Sequence, residues 1–245
     1  MHSRPRTRSW ITLCSTLPTL LGSVTSTAAG QTVPDNQPNR LTAEERHEGW
    51  QLLFDGRTTT GWRGFKQKGA PKGWVVEDGS LVRRAAGADL ITTRAYRNFE
   101  LALEWKIASG GNSGIMYRVT EEGKATYETG PEMQVLDDAT HPDGANRLTS
   151  AGACYGLYPS PAGVVHPAGE WNKVRIVVKG NHVEHWLNDV KVVEYELGSP
   201  DWEAKVAASK FNQWKGYGRA SGGHISLQDH GDKVEYRSIR IRELP

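Results

Sequence analysis

Cysteine is nearly missing from this chain of 245 residues, which carries two, Cys14 and Cys154. They cannot supply a disulfide framework or a Cys-x-x-Cys metal or redox site. Long apolar runs are missing as well. No stretch reaches the ~18 residues of a membrane-spanning helix, and the mean hydropathy is −0.57, so a helical membrane span is excluded. Charge of one sign is not in excess: 30 Lys and Arg face 28 Asp and Glu, a net charge of +2. Without a basic stripe, nucleic acid is excluded as a partner. There is no Gly-x-Ser-x-Gly, no His-Glu-x-x-His, no phosphate loop and no dinucleotide fingerprint. No repeat of 20–50 residues marks a propeller or solenoid. What is plentiful is tryptophan, nine against four Phe, and glycine, 27 residues. The first suits a sugar-facing surface and the second a fold rich in turns and strands.

Arg4, Arg6 and Arg8 precede an acid-free apolar stretch from Trp10 to about Val24, and Thr27-Ala28-Ala29 follows. Residues 1–29 are expected to be a signal peptide, which makes the protein secreted or periplasmic. Its removal takes three Arg and no acid, leaving 27 basic against 28 acidic residues and Cys154 as the lone thiol. Between Ala153 and Tyr155, that thiol reads as a buried structural one. Residues 30–48 form a polar linker with a short helical turn, where Thr42-x-x-Glu45 fits a capping box. Residues 49–245 are expected to form one domain.

From Trp50 onward the period is two. Phe99, Leu101, Leu103, Trp105 and Ile107 alternate with Glu100, Ala102, Glu104 and Lys106, the pattern of a strand with one solvated face. Val174 to Val178, His182 to Leu187 and Val190 to Glu196 are separated by Gly180-Asn181 and Asn188-Asp189 and read as an antiparallel meander. Shorter strands are expected at 74–77, 80–83, 89–92, 113–119, 132–136, 224–228 and 235–241. One surface helix is expected over Asp201 to Phe211, entered through Ser199-Pro200. A dozen short strands with long loops predict an all-β sandwich of two antiparallel sheets.

Chemistry is densest in Glu132-Met133-Gln134-Val135-Leu136-Asp137. Alternation sets Glu132 and Gln134 on one face, and a bulge after Val135 would bring Asp137 back to it. Asn112, Gly114, Met116 and Arg118 share a face of another strand, and Arg118 is expected to pair with a strand carboxylate. Gln228 and His230 share a face at a strand end, where His230 suits proton transfer near neutral pH. His141-x-Asp143 is a weak metal motif in a Gly-rich loop.

Leu52-Leu53-Phe54-Asp55-Gly56 with Gly61-Trp62, Trp74-Val75-Val76-Glu77-Asp78-Gly79, Asn112-Ser113-Gly114-Ile115, Glu132-Met133-Gln134-Val135-Leu136-Asp137, Glu170-Trp171-Asn172 and Leu227-Gln228-Asp229-His230-Gly231 together resemble the secreted bacterial 3-keto-disaccharide hydrolase domain, in order from about residue 49 to 244. The resemblance implies a concanavalin A-like jelly-roll sandwich that binds carbohydrate on one face. It also implies cleavage of glycosides oxidised to a ketone at carbon 3, by proton abstraction from carbon 2, elimination and hydration. Glu132 or His230 would be the base and Asp137 or His230 the acid. Arg118, Gln134 or a divalent metal would be the oxyanion partner, with Asn112, Tyr155 and Gln228 binding substrate. Two readings compete: a retaining glycosidase of laminarinase type, whose Glu-x-Asp-x-x-Glu strand this one resembles, and a non-catalytic carbohydrate-binding module.

Overall fold

Alternating apolar residues build the centre of the molecule. In β6 (Phe99–Ile107) the side chains of Phe99, Leu101, Leu103, Trp105 and Ile107 are all buried, while Glu104 and Lys106 are partly exposed. The structure, a computed structural model, describes residues 1–2 and 37–245. Residues 3–36, which hold the rest of the leader and the first part of the linker, lie outside the described residues.

The larger sheet runs in the order β11 (Val190–Glu196), β10 (His182–Leu187), β9 (Asn172–Lys179), β6, β13 (Val234–Glu243), β4 (Ser80–Arg83) and β3 (Trp74–Glu77), with β1 (Gln51–Leu52) on one end of β13. The smaller sheet has the order β2 (Trp62–Gly64), β5 (Leu90–Thr92), β12 (His224–Leu227), β7 (Asn112–Val119) and β8 (Glu132–Leu136). Every pairing between these strands is antiparallel. This is the sandwich that the alternation predicts, with the meander as β9, β10 and β11.

Tyr117 on β7 fixes the facing. Its hydroxyl donates to His185 Nε2 on β10, 2.8 Å away. Ile115, Tyr117, Met133 and Val135 therefore look into the sandwich, and Asn112, Gly114, Glu132 and Gln134 look out of the smaller sheet. Two helices are described. α1 (Ala43–His47) carries a complete capping box between Thr42 and Glu45. α2 (Pro200–Ala207) is capped by Ser199 and ends sooner than expected: Ala208 closes it, and Ser209 caps a separate 3-10 turn, Lys210–Gln213, by accepting a bond from Phe211 N at 3.1 Å. The break arises because a second Ser cap competes with the helix for the backbone.

Five rings anchor this region. Tyr158, Tyr195, Trp202, Tyr217 and Phe211 stack in sequence with centroid separations of 4.8, 5.1, 5.8 and 4.2 Å and interplanar angles of 13° or less. The stack ties the edge strand β11, α2 and the Lys210–Gln213 turn together.

Candidate active site

Nine residues line a pocket of about 150 Å³ on the outward face of the smaller sheet: Asn112, Tyr127, Glu132, Gln134, Tyr155, Lys210, Phe211, Gln228 and His230. Strands supply its floor. β7 and β8 pair in unbroken register, Gly114 opposite Gln134 and Met116 opposite Glu132, so alternation alone brings Asn112, Gln134 and Glu132 to one face. Gly114 leaves room for the acid: a Cβ there would lie 2.7 Å from Glu132 Cδ and 2.9 Å from Cγ, and would collide with Oε1.

Loops supply the rim. Residues 152–155 run along the free edge of β8, with Gly152 N donating to Gln134 O, Gln134 N to Ala153 O and Tyr155 N to Glu132 O at 2.9–3.1 Å. This sets Tyr155 beside Glu132. The segment before His230 is held from several sides: Gln228 N donates to Gly114 O at 2.9 Å, Ser113 Oγ to Gln228 O at 2.8 Å, and Asp229 accepts from Arg83 Nε at 2.6 Å and Gly87 N at 2.7 Å. Asp89 joins two rim segments, since Oδ1 accepts from Asp229 N at 2.8 Å and Oδ2 accepts from Thr126 Oγ1, next to Tyr127.

The floor is polar, buried and short of partners. Gln134 is 1% exposed and Glu132 7%. Both amide atoms of Gln134, Oδ1 of Asn112 and Oε1 of Gln228 meet no hydrogen-bonding group among the described residues. Such atoms are costly unless something bonds them, and the three amides offer donors and acceptors of the kind that read sugar hydroxyls. Burial pushes the Glu132 carboxyl up to about 8, against the pull of Lys210 and with Asp89 and Asp143 adding to the rise. A carboxyl there exchanges its proton near neutral pH, as a general base must.

Two expected members stand elsewhere. No bulge follows Val135; the register continues to Leu136, and Asp137 is taken up in a turn, accepting from Gly110 N at 2.8 Å, Ala139 N at 3.2 Å and Thr140 Oγ1. Burial would raise its carboxyl, but these donors hold it below the usual range. Arg118 adopts a φ of 55°, which turns it out of the alternation, and its guanidinium donates to Gly180 O rather than to a strand carboxylate. Tyr127, Lys210 and Phe211, on the rim, were not indicated by any local pattern.

No tryptophan among the described residues lines the pocket either. Trp62, Trp74, Trp105 and Trp202 are in the core. Trp171 and Trp186 border a larger groove of about 740 Å³ on the outer face of the other sheet. There Arg237 and Arg175 lie over their rings, 3.9 and 4.0 Å from the centroids, and pair with Glu104 at 2.6 Å and Glu100 at 3.2 Å. That face is a solvated, charge-matched exterior, and among the described tryptophans Trp214 approaches the pocket, edge-on behind Tyr127 at 5.4 Å.

For a divalent metal, His182, Glu184 and Glu194 are the group among the described residues whose ligand atoms converge, within 4.8 Å. They lie on the solvent face of β10 and β11, where Lys191 Nζ already sits 3.4 Å from Glu184 and 2.6 Å from Glu194. His141, the other metal candidate, uses Nδ1 to accept from Asp143 N at 3.1 Å. Cys154 is buried, and burial pushes its thiol up to about 12, so it is no nucleophile.

Three similarities bear on this site. A curated 3-keto-disaccharide hydrolase of Bacteroides thetaiotaomicron is 37% identical over 229 residues, covering 80% of this chain and 79% of that protein. A crystal structure of a candidate glycosyl hydrolase from Parabacteroides distasonis superposes with a TM-score of 0.81 at 38% identity, over 85% of this chain and all of that one. A second candidate glycosyl hydrolase from the same organism gives 0.63 at 29% identity, over 80% and 99%. The 3-keto-alpha-glucoside-1,2-lyase-like domain spans residues 49–242, which include every residue lining the pocket, and the chain is a member of that family.

Proposed function

We propose that the protein hydrolyses 3-keto-disaccharides by elimination and hydration, with Glu132 as the base. The observation that carries this reading is the place of Glu132: a buried carboxyl, the one carboxylate among the described residues that line the pocket, with unpartnered amides beside it. Double displacement at carbon 1 needs two carboxyl groups about 5–5.5 Å apart. Removing a carbon-bound proton needs one.

A ketone at carbon 3 acidifies the proton on carbon 2. Glu132 takes that proton, the electron pair forms a bond between carbons 2 and 3, and negative charge moves to the oxygen on carbon 3. When this enediolate collapses, the bond from carbon 1 to the glycosidic oxygen breaks, and His230 at the rim gives that oxygen a proton. Water then adds across carbons 1 and 2, hydroxyl to the first and proton to the second, so the products are a 3-keto sugar and a freed alcohol. Asn112, Gln134 and Gln228 hold the ring hydroxyls, and Tyr155 closes one wall. The relative from Bacteroides, a named 3-keto-disaccharide hydrolase, supports the substrate class. The leader read over residues 1–29 supports action outside the cytoplasm.

The test sets a 3-keto-glucoside beside its unoxidised parent. Release from the keto compound alone is expected. Release from the parent would replace this reading with a retaining glycosidase, and binding without turnover would replace it with a binding module.

A further inference from the structure

Carbon-2 deprotonation leaves a full negative charge on the oxygen of carbon 3, and the three amides of the pocket floor bring only dipoles to it. Arg118, the cation expected to meet that charge, is spent on Gly180 O. Among the described residues lining the pocket, Lys210 is the one Lys or Arg.

We propose that Lys210 is a catalytic residue: its ammonium holds the carbon-3 oxygen of the keto sugar and carries the charge that forms there as Glu132 takes the carbon-2 proton. This rests on the elimination reading given above.

Local geometry steers the side chain to the task. Lys210 opens the 3-10 turn capped by Ser209, and the next residue, Phe211, is 2% exposed and locked at the end of the five-ring stack. The turn is thus rigid where the lysine leaves it. Nζ lies 4.4 Å from the centre of the Tyr155 ring and 5.4 Å from that of Phe211, so two walls of the pocket hold the ammonium by their π faces. No carboxylate among the described residues is within ion-pair distance of Lys210, whereas Lys106, Lys205 and Lys233 each have one and Lys191 has two. Its charge is therefore available to a ligand. Its field already reaches the base, since it draws the Glu132 carboxyl down against the rise that burial causes.

In the step itself, the proton passes from carbon 2 to Glu132, and the charge that leaves the carboxylate reappears on the carbon-3 oxygen beside Lys210. The ammonium keeps its three protons, forms no covalent bond, and loses hold of the oxygen when the carbonyl returns and the leaving group departs. Binding is favoured less than the transition state, because a neutral ketone attracts the ammonium less than an enediolate does.

Lys210→Met and Lys210→Arg are compared with wild type on a 3-keto-glucoside in heavy water, following sugar release, deuterium at carbon 2, and the intact mass after borohydride reduction. Lys210→Met is expected to lower kcat and carbon-2 exchange together by about 10²–10³, with KM changed far less. Lys210→Arg should restore part of both, and no substrate adduct should appear on the protein. Exchange at the wild-type rate in Lys210→Met, or a rise in KM with kcat unchanged, overturns the proposal while leaving the function standing. A reduced adduct at Lys210 overturns it in favour of an imine. A wild-type enzyme that releases nothing from the keto substrate overturns the function and this role with it.

Discussion

The carboxylate of Glu132 lies across the face of Gly114 on the neighbouring strand, in the space that a Cβ at position 114 would take. Gly114 has no left-handed backbone, so alanine suits the strand, and the three nearest atoms its Cβ would meet all belong to the Glu132 side chain. Gly114→Ala should therefore fold, at a cost of about 1–3 kcal/mol for overpacking, and should displace the carboxyl. A displacement near 1 Å costs about 10²-fold in rate. Steady-state kinetics together with a melting curve check this; activity within a few-fold of wild type would mean that the carboxyl has no fixed post.

Glu132 should set the acid limb of the pH profile. Its carboxyl titrates at about 8 in the fold, and the base must be ionised, so kcat/KM should rise with pH up to that region. Glu132→Gln should abolish release and carbon-2 exchange together, a loss of about 10²–10⁴. The same group acts on stability. Because its folded value is raised above the ordinary 4.5, its stabilising share is whole below pH 4.5 and is lost as pH climbs through 8, by an amount on the order of 5 kcal/mol. Glu132→Gln should thus gain on wild type in melting temperature at pH 8–9 and not at pH 4.5.

His185 gives the opposite slope. Its Nδ1 lies 3.1 Å from Gly152 O and its Nε2 2.8 Å from the Tyr117 hydroxyl. The carbonyl only accepts, so the proton is on Nδ1, and Nε2 accepts from Tyr117. Burial pulls the imidazole down to about 4, so it is neutral in the working enzyme. A depressed histidine stabilises the fold above its ordinary 6.5 and loses that share as pH falls through 4, on the order of 3 kcal/mol. Melting temperature should drop across that window, and the drop should shrink in His185→Phe.

Asp137→Ala and Arg118→Met separate this site from a carboxylate pair. Asp137 caps a turn, and its loss should cost about 1–2 kcal/mol in stability. Arg118 bonds a carbonyl on the opposite sheet. Neither variant should change kcat by as much as the ~10² that losing a general acid or base brings, and a larger fall in Asp137→Ala would return that residue to the chemistry.

Export is tested by the intact mass of protein recovered outside the cytoplasm. Cleavage near Ala29 and one free thiol, at Cys154, are expected; a retained leader would refute it.

Strands were legible in the sequence wherever one face is buried and the other wet, as from Phe99 to Ile107, because a period of two is imposed at every residue. The same rule placed Glu132 and Gln134 side by side. It failed where the backbone leaves the rule: the left-handed Arg118, and Asp137, whose carboxylate a turn had already claimed. Lys210 and Tyr127 were hidden for another reason. Lys210 reaches the pocket from a segment far along the chain, through a ring stack, and Tyr127, though close to Glu132 in sequence, is set there through the bond from Thr126 to the distant Asp89; neither route leaves a local period.

The ring stack has a further consequence, for how the molecule breathes. Tyr195 in β11, Trp202 in α2, Phe211 in the Lys210–Gln213 turn and Tyr217 just beyond it join Tyr158 from an earlier loop, and each ring is sandwiched by, or capped against, its neighbour. Peeling α2 away would strip Trp202 from two partners at once, so the wall of the pocket can fray only when the edge of the large sheet frays with it. Amide hydrogens of α2, the Lys210–Gln213 turn and β11 should then exchange at one common free energy, as a single opening unit.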